Sequence, residues 1–314
     1  MAIVTNTLLT GLRTGFRAEF EKAKSKAPSD WQKIATPVPS TAASNTYGWL
    51  GQYPKLSEWV GDRSVKSMKE HAYAITNKLY EGTVGVKRTD IEDDALGVYT
   101  PLVQELGYGA ATHPDELIFA LLAAGRTTNC YDGQYFFDTD HPVYPNVDGT
   151  GSVTTASNLL RPAAQSGTIT DGTAWYLLDT SRPLKPFIFQ ERSKPELESV
   201  VDTKNDHVFM KDQYLYGVRY RCNAGFGFWQ QAICSTKPLN ADNFKEALNT
   251  LQSFKADGGR PLGLGRAGKA GLMLVVPQSL YSDALDVVGV QLLSGGGTNK
   301  WFDAATVLNS PWVG

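Results

Sequence analysis

The chain has 314 residues, of which 42% are hydrophobic and 20% charged, a composition that is typical of a globular protein and excludes a disordered one. Its formal net charge of −2 gives no electrostatic basis for tight nucleic-acid binding, which usually relies on a clustered basic face. No run of about 18 consecutive apolar residues occurs, so we expect no membrane-spanning helix, and the N-terminus shows no signal-peptide pattern. The three widely spaced cysteines, without a CxxC pair, predict neither a zinc site nor a disulfide framework and fit a chain made in a reducing cytoplasm.

The N-terminal 45 residues predict a helix followed by an extended arm. Leu8, Leu12, Phe16 and Phe20 are spaced four apart and would form one apolar face of a helix. Residues 27–45 contain three prolines and many small polar residues, which is typical of extended chain. The helix could pack on its own chain, or the arm could let it dock on a neighbouring molecule.

Residues 46–88 are rich in Trp, Tyr and Gly, carry charge in their middle and end in β-rich sequence. We interpret them as a long two-stranded excursion. A two-stranded ribbon alone is marginally stable in water and needs a surface to pack on. Either the chain's own domain or a second copy of the chain would provide that surface.

Residues 89–125 are the most helical part of the sequence. Thr89 and Glu92 have the spacing of a capping box, which predicts that the helix begins there. Pro101 fits a first turn, whereas Pro114 is expected to kink or restart the helix. We predict one long helix, or two in near-continuity, ending at Gly125.

The remaining sequence alternates between strands and helices, so the fold class is α+β. Residues 129–152 are aromatic and turn-rich, and Phe136 and Phe137 are expected in the core. Strand patterns follow from residue 174 to about residue 235, with the glycines of AGFGF suggesting a bulge or a close backbone approach. A helix is predicted over residues 240–256, a buried strand over residues 272–277 and a second short helix over residues 279–288.

Two groups of acidic residues are candidates for a catalytic or metal site. Asp138, Asp140 and His141 offer carboxylate and imidazole ligands, but Pro142 follows and no second histidine cluster completes the set, so a turn is the favoured interpretation. Residues 92–94 (Glu-Asp-Asp) lie in a predicted first helical turn, where negative charge complements the helix dipole. No nucleophile elbow, P-loop or dinucleotide fingerprint is present. No catalytic constellation emerges, although such groups can assemble in space from distant positions.

Several long runs resemble the major head subunit of Mu-like phages and prophages, the gpT family. In order along the chain they are NTYGWLGQYPKLSEWVGDR, YEGTVGVKRTDIEDDALGVY, HPDELI, CYDGQYFFDTDHPVYPNVDGTGS, KPFIFQER and FGFWQQA. The resemblance implies the Hong Kong 97-like capsid fold of tailed phages. Its parts would be an N-terminal arm (1–45), an extended loop (46–88), a peripheral domain with a spine helix at 89–125 and part of the axial domain (89–235), and a mainly axial region (236–314).

The resemblance also implies a function and a set of partners. The chain would be a non-enzymatic major capsid protein, with no cofactor or metal, that assembles as hexamers and pentamers into an icosahedral head shell enclosing phage DNA. We expect it in the virion, and in the host cytoplasm during assembly, where a scaffold, a protease and the portal would be partners. Contact with packaged DNA would be weak and non-specific, and no membrane is expected to be involved.

The resemblance assigns candidate contact residues as well. The extended loop would contact a neighbouring subunit through Trp49, Tyr53, Trp59 and Arg63, and the arm would dock through Leu8, Leu12, Phe16 and Phe20. The alternative function is a cytoplasmic metal-dependent hydrolase that uses Asp138, Asp140 and His141. Particle size separates the two, because an enzyme gives a small oligomer and a shell subunit gives rings or particles.

Overall fold

The computed structural model describes residues 5–51, 73–93, 96–146, 150–165, 167–202, 204–293 and 295–313. The helices are α1 (Asn6–Lys26), α2 (Trp31–Ile34), α3 (Arg88–Glu92), α4 (Thr100–Ala123), α5 (Asp206–Lys211), α6 (Ala241–Ser253) and α7 (Tyr281–Ala284). The strands are β1 (Ala35–Pro39), β2 (Ser44–Thr46), β3 (Ala74–Thr76), β4 (Lys78–Lys87), β5 (His141–Val143), β6 (Thr154–Ala156), β7 (Leu159–Leu160), β8 (Trp175–Asp179), β9 (Phe187–Val200), β10 (Gln213–Phe226), β11 (Ala232–Ser235), β12 (Leu272–Val276) and β13 (Thr306–Asn309). Among these helices, none combines the length and apolar character needed to cross a membrane.

Two main sheets organise the strands. The first has the order β1-β9-β10-β4, with β1 parallel to β9 and the other neighbours antiparallel. The second has the order β13-β12-β8-β11-β7, with parallel pairs at both edges and antiparallel pairs in the middle. Two small two-stranded sheets, β2-β3 and β5-β6, complete the fold. The mixture of helices and mixed sheets confirms the α+β class.

Helix α4 connects two hydrophobic cores. Val103, near its start, is fully buried in a smaller core with α1 and the first half of β10. Ile118, Phe119 and Leu122, near its end, are buried in the larger core around the five-stranded sheet. The same helix therefore contributes side chains to both hydrophobic cores of the subunit.

Helix α1 packs on its own chain. The Thr5 side chain caps the helix by accepting the N–H of Leu8 at 3.3 Å, as N-cap threonines do. Phe16 and Phe20 are buried, and the Phe16 ring meets the Tyr216 ring edge-on with centroids 4.9 Å apart. This arrangement corresponds to the ordinary packed helix that the sequence left open.

The start of the predicted 89–125 helix is different from the expectation. The predicted helix is divided into two helices, α3 and α4. The prediction of a capping box is wrong, because Lys87 is the N-cap of α3 and its side chain forms no capping hydrogen bond. Glu92 instead accepts a hydrogen bond from the Arg88 guanidinium at 3.1 Å, and the Thr89 hydroxyl bonds its neighbour Asp90. An ion pair between two residues that are four apart on one face of the helix is therefore present in place of the reciprocal cap.

Pro114 does not end the helix. Helix α4 continues through it from Thr100 to Ala123, although a proline removes one backbone hydrogen bond. Pro114 is buried together with Thr112, Asp115 and Ile118, so tertiary packing holds the helix together at this point. The prediction for Pro101 is confirmed, because it lies in the first turn.

The predicted C-terminal elements are present with shorter bounds. The Asn240 side chain caps α6 by accepting the N–H of Asn243 at 2.9 Å. The helix ends before a turn in which Gly258 and Gly259 have positive φ angles of 81° and 71°, a conformation that glycine adopts readily. The predicted 279–288 helix is a short α-helical turn that continues as a π-helical turn to Gly289.

Candidate assembly surfaces

The base of the predicted excursion is closed by backbone hydrogen bonds. Strands β2 and β3 pair antiparallel, with Ser44 opposite Thr76 and Thr46 opposite Ala74. The Tyr47 N–H then donates to the Tyr73 carbonyl at 2.8 Å. The two ends of the segment therefore lie side by side, and the excursion predicted between them falls on residues 52–72, outside the described residues.

A buried glutamine holds this base on the first sheet. The Gln190 side chain accepts a hydrogen bond from the Tyr47 hydroxyl at 2.7 Å and donates to the Ile75 carbonyl at 3.0 Å and the Asn77 side chain at 2.8 Å. Burial raises the pKa of Tyr47 to about 12, so the phenol remains a donor at neutral pH. A Cβ at Gly225 would lie 2.1 Å from Ile75 Cδ1, which confirms the close approach predicted for the AGFGF run.

The last strand of the predicted loop belongs to a sheet of the body. Strand β4 pairs with β10 along its whole length, from Lys78 opposite Cys222 to Lys87 opposite Gln213. Residues 78–87 are thus an edge strand of the four-stranded sheet, and the segment between the paired ends is 47–73. The alternating burial within this strand reflects its one packed face.

The candidate loop residues have different positions. Trp49 packs against the larger core of its own chain, with its ring centroid 5.7 Å from that of Tyr47 and 5.9 Å from that of Phe228. Trp49 therefore contributes to the subunit's own core, because it lies in the folded base. Tyr53, Trp59 and Arg63 lie outside the described residues.

The candidate docking residues of α1 divide into two pairs. Phe16 and Phe20 are buried inside the subunit, whereas Leu8 and Leu12 are half-buried. Leu8 and Leu12 line an open groove between α1 and the start of α4. Gly11 and Gly15 lie along the same groove, so α1 has a flat outer surface there.

Two groups of exposed apolar side chains were not recognised in the sequence. Val98, Leu102 and Tyr108 are 69%, 48% and 43% exposed around the start of α4. Phe209 and Met210 are 79% and 74% exposed on α5, which joins the two 14-residue strands β9 and β10. Large apolar side chains exposed together are typical of protein–protein contacts.

The FDTDHP segment does not assemble the hydrolase ligand set. Asp138 forms a turn, in which its carboxylate accepts the Thr139 N–H at 2.7 Å, and Asp140 is exposed. In the described part of the chain, His141 instead joins Cys130 and Asp132, with the potential ligand atoms within 4.8 Å of one another. The structure therefore favours the turn that the sequence predicted for Asp138 and Asp140.

The histidine of this group is fully buried between polar and aromatic neighbours. Its Nδ1 lies 2.7 Å from Asp132 Oδ2, its Nε2 lies 3.2 Å from Asn158 Oδ1, and its ring stacks on Trp229 at 4.0 Å between centroids. Burial would raise the pKa of Asp132, but the hydrogen bond from His141 holds it below its usual value. Burial raises the pKa of the Cys130 thiol, and the neighbouring Asp132 raises it further.

Comparison with known proteins gives consistent results over nearly the whole chain. The family model described as the Mu-like prophage major head subunit gpT matches residues 9–313. The major capsid protein of Escherichia phage Mu is 47% identical over 296 residues, which cover 94% of each chain. The Mu-like prophage FluMu major head subunit of Haemophilus influenzae is 46% identical over 297 residues, 95% of this chain and 94% of the relative.

Solved capsid structures have the same fold. A chain of the bacteriophage JBD30 procapsid superposes with a TM-score of 0.85 and 57% identity over 98% of this chain and 100% of its own length. A chain of the JBD30 capsid superposes with a TM-score of 0.72 and 42% identity over the full length of both. The chain therefore belongs to the Mu-like prophage major head subunit gpT family, the major capsid proteins of Mu-like phages, and the capsid fold and the major-capsid role expected from the resemblance are confirmed.

Proposed function

We propose that this subunit forms hexamers and pentamers that close into an icosahedral head shell around phage DNA, and that it has no enzymatic activity. Family membership over residues 9–313 is the observation that carries the proposal. Heterologous contacts between identical subunits close into rings when the rotation permits, and a shell is built from such rings. A scaffold, a protease and the portal are the partners that assembly would require.

The contacts between subunits are proposed to involve three surfaces. The first is the loop carrying Tyr53, Trp59 and Arg63, which begins and ends at the hydrogen-bonded base next to Tyr47 and Tyr73. The second is the groove beside α1, where Leu8 and Leu12 retain exposed apolar area. The third is the end of the β9–β10 hairpin, where Phe209 and Met210 are exposed.

DNA contact is proposed to be weak and sensitive to salt. The basic residues of helix α1 are Arg13, Arg17, Lys22, Lys24 and Lys26. Two of them are paired on the same helix, Lys22 with Glu19 at 3.4 Å and Lys24 with Glu21 at 2.7 Å. Lysines that are already paired with a carboxylate release fewer counterions when they approach DNA, so their contribution to the affinity for DNA is small.

The conformation of the subunit is proposed to correspond to the unexpanded shell. This chain superposes more closely on the JBD30 procapsid chain, with a TM-score of 0.85, than on the JBD30 capsid chain, with a TM-score of 0.72.

Size-exclusion chromatography and electron microscopy test the assembly directly. The purified full-length chain is expected to form rings or particles as its concentration or molecular crowding is raised. A replacement of Phe209 and Met210 by serine should keep the subunit folded, because both side chains are exposed, and should lower particle yield. A chain that stays a compact monomer under all these conditions would contradict the proposal.

A further inference from the structure

The orientation of the Asn158 side chain shows that one particular ring nitrogen of His141 carries a hydrogen. Asn158 Oδ1 accepts the Asp138 N–H at 2.9 Å, and its Nδ2 donates to the carbonyls of Phe136 at 2.8 Å and Trp229 at 3.3 Å. The amide can satisfy these three groups in only one orientation. His141 Nε2, at 3.2 Å from Oδ1, must therefore be an N–H donor.

A cation must then lie between the other ring nitrogen, Nδ1, and the carboxylate of Asp132. His141 Nδ1 lies 2.7 Å from Asp132 Oδ2, and a neutral ring with its hydrogen on Nε2 would direct a lone pair at that carboxylate oxygen. Two electron-rich atoms at this distance repel each other unless a proton or a metal ion lies between them. The Cys130 thiol is at the same place, with Sγ 3.0 Å from Asp132 Oδ1.

We propose that Cys130 Sγ, Asp132 Oδ2 and His141 Nδ1 bind one divalent transition-metal ion of the zinc type. Thiolate, carboxylate and imidazole are the ligands that zinc takes in proteins, with bonds of about 2.0–2.3 Å. Ligand atoms around a tetrahedral zinc are separated by about 3.3–3.7 Å, so the carboxylate would move outward by less than about 1 Å. The Asp132 side chain lies in a turn and retains 7% exposure, which allows this movement and gives a water molecule access to the fourth position.

The surroundings of the histidine support a metal ligand. Metal-bound histidines generally donate their second ring N–H to an oxygen acceptor that fixes the ring, and Asn158 Oδ1 provides that acceptor. The Trp229 ring, stacked at an interplanar angle of 9°, fixes the ring plane as well. Asp132 Oδ1 accepts the Gln134 N–H at 3.1 Å, which leaves Oδ2 for the ion.

The site would be structural and goes beyond the capsid function. It would connect the turn that carries Cys130 and Asp132, closed by the bridge between Asn129 and Tyr135, to the first residue of β5. Metal binding would displace the thiol proton of Cys130, since the thiolate is the ligand. Affinity is therefore expected to increase with pH.

Cobalt(II) is the probe for the test, because it replaces zinc and reports its ligands by absorption. The full-length subunit, stripped with a chelator, is expected to bind one equivalent of cobalt with a thiolate charge-transfer band and the strong visible bands of a tetrahedral site. Zinc should displace the cobalt and raise the melting temperature of the stripped protein. Cys130→Ser should abolish the charge-transfer band, whereas the matched control Cys222→Ser, which removes a buried thiol on β10, should keep it.

Asp132→Asn provides a second variant, since its side chain lies in a turn and its loss is less damaging to packing than a change of the fully buried histidine. It should weaken cobalt binding at least tenfold. The proposal is overturned if the folded wild-type subunit shows no thiolate-to-cobalt band, or if the band persists in Cys130→Ser.

Discussion

The Asp115 carboxylate, on the spine helix, accepts the backbone N–H of Trp31 at 2.8 Å and so caps the N-terminus of α2. The same oxygen accepts the Asp30 N–H at 2.7 Å, and the second oxygen accepts the Ser29 hydroxyl at 2.6 Å. Asp30, the N-cap residue of α2, forms no side-chain cap of its own. A residue 84 positions away therefore performs the capping and fastens the N-terminal arm to α4.

Replacing this carboxylate should destabilise the subunit strongly. Asp115→Ala removes the acceptor of the buried Trp31 N–H, of the half-buried Asp30 N–H and of the exposed Ser29 hydroxyl, which should lower the free energy of unfolding by about 2–3 kcal/mol. Chemical denaturation monitored by circular dichroism measures the change. Glu105→Ala, an exposed acidic position on the same helix, is the control and should change stability by less than about 0.5 kcal/mol. Equal effects of the two would show that the cap contributes nothing.

Two glycines of α4 test whether α1 packs on its own chain. A Cβ at Gly107 would lie 2.5 Å from the Phe20 carbonyl oxygen, whereas a Cβ at Gly109 would meet nothing within 4 Å. Gly107→Ala should therefore destabilise the subunit by about 1–3 kcal/mol and expose α1 to protease. Gly109→Ala should stabilise it by up to about 1 kcal/mol through helix propensity.

Denaturation curves and limited proteolysis of the two variants give the answer. If both substitutions stabilise the free subunit, α1 does not pack at Gly107, and docking on a neighbouring molecule becomes the better interpretation for Phe16 and Phe20.

The two loop tryptophans should separate folding from assembly. Trp49 packs against Phe228, so Trp49→Ala should lower the free energy of unfolding by about 2–3 kcal/mol, less than a fully buried tryptophan would. Trp59→Ala should leave the melting temperature unchanged and reduce particle yield, because interface tryptophans contribute about 2–4 kcal/mol to binding. Thermal melting and particle counts by electron microscopy provide the two measurements. A Trp59→Ala subunit that assembles normally would remove this residue from the interface.

The ion pair between Asp171 and Arg161 should contribute to acid sensitivity. The Arg161 hydrogen bonds, both at 2.9 Å, lower the pKa of Asp171 below its ordinary value of 3.8. Stability from this pair is therefore fully present above pH 3.8 and is lost as the pH falls through the lower folded-state pKa. Asp171→Asn should cost about 1 kcal/mol or less at pH 7 and reduce the loss of stability on acidification. Denaturation at pH 7 and at pH 3 measures the loss of stability between the two pH values. The control is Asp286→Asn, an exposed position, which should lose as much stability as the wild type.

Local patterns were sufficient to determine much of the fold from the sequence. The four-residue spacing around Phe16 and Phe20 predicted α1, the helical pattern over residues 240–256 predicted α6, and the apolar run at residues 272–277 predicted β12. The gpT resemblance determined the family, because long runs of residues in order are specific. Helical period, caps and strand runs depend on neighbouring residues, so they can be recognised without a tertiary structure.

Contacts between distant positions were decided only by the tertiary structure. Pro114 stayed inside a helix because buried neighbours compensate for the lost hydrogen bond, and Trp49 joined the core because the loop base folds onto β9 and β10. His141 was paired in the sequence with Asp138 and Asp140, yet the fold brought it to Cys130 and Asp132. The sequence by itself determined the elements and the family; tertiary packing decided the side-chain partners, since which distant groups meet depends on how the elements pack, and spacing along the chain does not encode that.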